Sequence, residues 1–143
     1  MAGEHAYLLS YNTISLCLWS YLTCRTLATL ASPNTRPGLH DLYPDFLFPW
    51  LVVAQSLAAL EVLHAASGLV RASPWTTAIQ VGGKNLVVWT VMVQFPDIVN
   101  GLDGRVGFVG CLVAWGLSEM VRYGFFVVLL ARGEAPAWLK WLR

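Results

Sequence analysis

Four long apolar stretches, 7–30, 46–70, 76–95 and 106–131, occupy most of the 143-residue chain. Roughly 20 helical residues cross about 30 Å of hydrocarbon, so each stretch is long enough to span a bilayer. In lipid every backbone N–H and C=O must be satisfied within the protein, which leaves helices and closed barrels as the spanning forms. A barrel needs short strands of alternating polarity, and that alternation is missing. A soluble helical core needs broad polar outer faces, and none of the four stretches has one. The expected fold is all-α: a multi-pass transmembrane helical bundle with four helices present, in a single integral-membrane domain over 1–143.

Composition points the same way. Hydrophobic residues make up 57% of the chain and charged residues 12%, against about 25% charged in a typical soluble domain. Trp50, Trp75, Trp138 and Trp141 fall near predicted segment ends, where amphipathic rings anchor at the membrane interface. A net charge of +1 with scattered Lys and Arg offers no basic stripe for phosphates, which argues against nucleic acid and leaves the lipid bilayer as the evident partner. Cys17, Cys24 and Cys111 form no C-x-x-C pair and no cluster with the histidines. Free, buried thiols are expected, with no metal and no cofactor. The first apolar stretch lacks a basic leader and runs too long for a cleavable signal, so it is read as a signal anchor. Counting Arg71, Arg132, Lys140 and Arg143 against Arg25, Arg36 and Arg105 leans slightly towards both ends being cytoplasmic.

The connections are marked by turn chemistry. Ser32, Pro33, Asn34, Pro37 and Gly38 open the longest one, which continues to Pro44. Ser73 is placed to cap a helix whose first residue is Pro74. The third connection runs from Pro96 to Gly104, and Gly133 to Pro136 ends the fourth helix. A small-residue face, Gly107, Gly110 and Ala114, would allow close helix packing within or between subunits.

Ionisable residues inside the apolar stretches are the functional signal. A charge in hydrocarbon is costly, so it faces the bundle interior and commonly marks a site. The second stretch carries Glu61 and His64, the third Gln80 and Lys84, the fourth Glu119, Arg122 and Tyr123. Each set is spaced by three or four residues and so shares a helix face. At about 1.5 Å of rise per residue, and with neighbouring helices alternating in direction, all three sets are expected in one leaflet. Two acids and two bases there could be a purely structural ion-paired network. The functional alternative is a polar pocket for the head of an amphiphilic substrate.

The pattern of Gln55, Glu61, His64 and Gly68, then Thr77 and Gln80, then Trp89, then Trp115, Glu119, Arg122 and Tyr123 resembles the 3-hydroxyacyl-CoA dehydratase family, also called protein-tyrosine-phosphatase-like. Tyr7, Leu8, Tyr11, Asn12 and Trp19 are similar to its first helix. The resemblance implies a six-helix protein of the endoplasmic reticulum membrane. It implies a lyase of very-long-chain fatty acid elongation that dehydrates (3R)-3-hydroxyacyl-CoA to trans-2-enoyl-CoA. It further implies an acyl-CoA substrate and other elongation enzymes as partners. Glu61, His64, Gln80, Lys84, Glu119, Arg122 and Tyr123 are then substrate-pocket or polar-network candidates.

Two departures qualify that reading. The family's catalytic Tyr and Glu sit in a motif like Y-P-x-G-x-x-x-E, and no Tyr here has a Glu seven residues later. No residue of this chain is therefore assigned a catalytic role, and the chain is expected to stop short of that segment and to be inactive alone. Lys84 stands where an Arg is expected, and the two are not equivalent at a bidentate site. A non-catalytic membrane partner of the elongation enzymes, and a small carrier or channel, are the alternative readings. The run from His64 to Arg71 has the outline H-C-x-x-G-x-x-R of a phosphatase loop, but Ala65 stands at the nucleophile position. Covalent catalysis of that kind cannot proceed without the thiolate.

Overall fold

The computed structural model describes residues 2–31, 48–100 and 102–142. Helix α1 spans Ala2–Ala31. The second apolar stretch forms α2 (Phe48–Ala58) and α3 (Leu60–Ala66). The third forms α4 (Pro74–Leu86) and continues as a π-helical segment, Val87–Met92. After the short α5 (Pro96–Asn100) come α6 (Leu102–Arg132) and α7 (Ala137–Leu142). The predicted loop over 32–44 lies outside the described residues.

Among the described residues, three helical spans, Gly3–Ala31, Phe48–Ala66 and Val106–Arg132, are long and apolar enough to cross a membrane. The protein is a multi-pass, all-α membrane protein. The third predicted stretch differs from the other three. Gln80, Gly82, Gly83, Lys84 and Asn85 dilute its apolar character, and the wider turn of the π segment divides it. Val93 N–H donates to the Val88 carbonyl at 2.9 Å, five residues back. Such π turns inside α-helices are rare and concentrate at functional sites.

Local chemistry explains the breaks. At Ala59 the ladder tightens to three-residue steps: Ala59 N–H donates to Ser56 O at 3.1 Å and Val62 N–H to Ala59 O at 3.2 Å. Helix α3 ends in a Schellman turn. Gly68 takes φ +75°, Leu69 N–H donates to His64 O at 2.9 Å and Gly68 N–H to Ala65 O at 3.2 Å. Ser73 then caps α4, its Oγ accepting from Thr76 N–H at 3.5 Å, with Pro74 in the first turn. A side chain at Gly68 has open space but the wrong backbone conformation. Gly68→Ala is expected to cost about 1 kcal/mol, whereas Gly82→Ala, on an exposed helix position, should be neutral or slightly stabilising. Thermal unfolding in detergent measures both.

The chain forms two compact units, 1–34 with 109–143, and 35–108. In the first, α1 and α6 run antiparallel. His5 Nε2 lies 3.0 Å from Leu130 O, Tyr11 and Tyr123 stack edge to face at 6.3 Å, and Thr23 meets Gly116. Phe125, Ala135 and Leu139 then pack α7 back along α6. Burial on α1 follows Asn12, Ser15, Trp19, Leu22, Thr23 and Thr26, while Ile14, Tyr21, Leu27 and Leu30 are exposed. The seam holds four polar side chains beside Trp19 and Leu22, an arrangement suited to helix–helix contact in lipid. Cys17 and Cys24, expected to be buried, are exposed on α1 because the seam residues occupy its inner face. In the second unit α3 packs on α4, and α2 packs on α4 and the π segment.

Candidate functional site

In the second unit, α3 carries His64, which is buried, and Glu61, which is half-buried, one turn apart. Lys84 is half-buried on α4, the helix that packs on α3. Gln80 is exposed. The inward face of α4 is Val81, Lys84, Asn85 and Val88, at offsets of three, four and seven, and Gln80 lies one residue, about 100°, off it. The four-residue spacing of Gln80 and Lys84 therefore does not give them equal burial. Asn85 holds its place by donating from Nδ2 to Val81 O at 3.1 Å.

The phosphatase-like outline is a helix stop. The N–H groups of Ser67, Gly68, Leu69 and Val70 all donate to the carbonyls of Leu63, Ala65 and His64. A phosphate cradle needs those donors turned outward. The segment thus lacks the cradle as well as the thiolate.

In the first unit, the α6 set forms one connected group. Arg122 donates to Glu119 Oε2 from Nε at 2.7 Å and from Nη2 at 2.5 Å. Its guanidinium carbon lies 4.2 Å from the centre of the Tyr123 ring, a cation–π distance, and Tyr123 meets Tyr11. Glu119 and Tyr123 are buried, whereas 30% of the Arg122 side chain is exposed. The carboxylate is thus the member of the pair that most needs its partner.

The structure adds groups that spacing of charges does not flag. Gln55 is fully buried on α2 with Oε1 unpaired among the described residues, and Ser56 Oγ is unpaired too. Ser15 Oγ and Trp19 Nε1 are likewise buried and unpaired on α1. The α1 signal was present in the sequence as Asn12, Ser15, Thr23 and Thr26, spaced onto one helix face with Trp19. A search for charges inside apolar runs passes over it.

The chain is 36% identical over 138 residues to the probable very-long-chain (3R)-3-hydroxyacyl-CoA dehydratase of Schizosaccharomyces pombe, covering 96% of this chain and 62% of the relative. It is 34% identical over 137 residues to the Caenorhabditis elegans dehydratase hpo-8, covering 96% and 59%. It is 32% identical over 142 residues to PASTICCINO 2 of Arabidopsis thaliana, covering 98% and 59%. The chain thus spans about three fifths of the length of these relatives. No solved structure matches it. The family model of protein tyrosine phosphatase-like protein, PTPLA, matches residues 55–143, and the chain belongs to that family.

Proposed function

We propose that this chain serves the dehydration of very-long-chain (3R)-3-hydroxyacyl-CoA to trans-2-enoyl-CoA, in the endoplasmic reticulum membrane and alongside other fatty acid elongation enzymes. The observation that carries the reading is identity of 30–36% to proteins named as such dehydratases, over 96% or more of this chain. In the reaction a base removes a proton from C2 and that electron pair becomes the double bond. The C3–O bond breaks, and an acid protonates the departing hydroxyl as water. This chain's share in the proposal is binding. Glu61, His64 and Lys84 within the second unit, and separately Glu119, Arg122 and Tyr123 within the first, are its candidate binding groups, since an ionisable group within an apolar helix marks a candidate site. Gln80, being exposed, is the least suited of the proposed set to contact a ligand within the second unit.

The test is equilibrium binding of a very-long-chain 3-hydroxyacyl-CoA to the 143-residue chain in nanodiscs, with loss of water from the acyl chain followed by mass spectrometry. Saturable binding is expected, weakened about tenfold or more by Glu61→Gln or Lys84→Met, the size of one charge-assisted hydrogen bond. Binding no greater than to empty nanodiscs would overturn the proposal.

A further inference from the structure

The contacts between α1 and α6 bracket a layer that the ion pair alone does not explain. Tyr11 meets Tyr123 on one side and Thr23 meets Gly116 on the other. Because the helices are antiparallel, the stretch between these contacts holds Ser15 and Trp19 from α1 and Glu119 from α6. All three are deeply buried, at 3%, 1% and 5% exposure. Ser15 Oγ and Trp19 Nε1 have no hydrogen-bond partner among the described residues. Their neighbours do not share this state. Thr13, Thr23, Thr26 and Thr29 each donate to the backbone carbonyl four residues earlier, and Asn12 Nδ2 does the same to Leu8 O. Leaving a donor unmet in a buried site costs about 1–3 kcal/mol in general, and two unmet donors one turn apart on the same helix face mark a place for a polar atom.

The chemistry of the layer narrows what that atom can be. Trp Nε1–H can only donate, Ser Oγ donates and accepts, and an ionised Glu only accepts. A carbonyl, phosphate or carboxylate oxygen would suit the two donors but would face the Glu119 carboxylate with no proton to give. An ammonium group would suit Glu119 and clash with the indole N–H. A hydroxyl satisfies both sides, donating its proton to the carboxylate and accepting from the indole. We propose that Ser15, Trp19 and Glu119 form a subsite for a single hydroxyl group, either the 3-hydroxyl of a bound 3-hydroxyacyl chain or a resident water. The first source rests on the dehydratase reading, and the second does not.

NMR of the indole N–H signals of the chain in nanodiscs tests this, with Trp19 assigned from the signal lost in Trp19→Phe. Two ligands are compared: a 3-hydroxyacyl-CoA and the acyl-CoA of equal length without the hydroxyl. The Trp19 signal is expected to move with the first and not with the second. Ser15→Ala is expected to weaken binding of the hydroxylated ligand about tenfold and to leave the other within twofold. A Trp19 signal that neither ligand moves, but that shows transfer from a bound water, assigns the subsite to water. Equal movement with both ligands, or no movement and no water transfer, overturns the proposal. Failure of the dehydratase reading appears separately, as absence of binding by either acyl-CoA. If Trp19→Phe does not fold, an unchanged ratio of the two affinities in Ser15→Ala still rules out the 3-hydroxyl as the occupant.

Discussion

Gly116→Leu is expected to break the contact between α1 and α6 and to lower the unfolding temperature in detergent sharply, where Gly110→Leu does not. A Cβ built at Gly116 overlaps Thr23 Oγ1 and comes within 3.1 Å of Thr23 Cβ, while one at Gly110 meets nothing within 4 Å. Thr23 has little freedom to yield. Its side chain is β-branched and so stiff about χ1, it is fully buried, and its hydroxyl donates to Trp19 O at 2.7 Å. Even Gly116→Ala should cost about 1–3 kcal/mol, the usual range for overpacking, and the leucine more. Thr23→Ala in the Gly116→Ala background should recover part of the loss, because it removes Oγ1 and leaves only the Cβ contact. Additive losses in that double variant would mean that the two residues do not meet.

The helices were legible in the sequence because apolar runs of membrane length have one main outcome. The second apolar stretch runs over 46–70, but its helical part ends at Ala66. The difference is the Schellman turn, since Leu69 and Val70 are apolar yet lie beyond the left-handed Gly68. The cap at Ser73 was legible because serine before proline has a definite physical role there. The π segment was not, because Val87, Val88, Trp89, Thr90, Val91 and Met92 carry no local signature distinguishing a π turn from an α turn.

The candidate site divides in the same way. Glu119 and Arg122 were legible as a pair because three residues on one helix bring side chains together whatever the tertiary fold. The burial difference between Gln80 and Lys84 was not, because it depends on which face of α4 meets its neighbours. The polar seam of α1 depends on a partner helix about a hundred residues away, at Gly116 and Tyr123. Periodicity of polar residues in an otherwise apolar helix is the local trace of such a partner, and it is informative because lipid reverses the usual inside–outside pattern.

Removing Arg122 is expected to cost more than removing the charge of Glu119, although both changes break the same ion pair. Both Arg122 nitrogens converge on one carboxylate oxygen, so Arg122→Met withdraws two donors at once from a residue that is 5% exposed. Stripping one member from a buried pair costs about 3–5 kcal/mol where the remaining charge is left uncompensated. The partial exposure of Arg122 places the expected loss near the lower end. Glu119→Gln leaves the charge on the more exposed partner and keeps an amide oxygen for it to meet, so a loss of about 1–2 kcal/mol is expected. The double variant Glu119→Gln with Arg122→Met should be more stable than Arg122→Met alone, since it removes a buried negative charge. The measurement is chemical unfolding of the four proteins in mixed micelles, read as a double-mutant cycle. Equal losses from the two single variants would mean that the carboxylate is not the buried member. A double variant no better than Arg122→Met would locate the cost in lost packing on the Tyr123 ring.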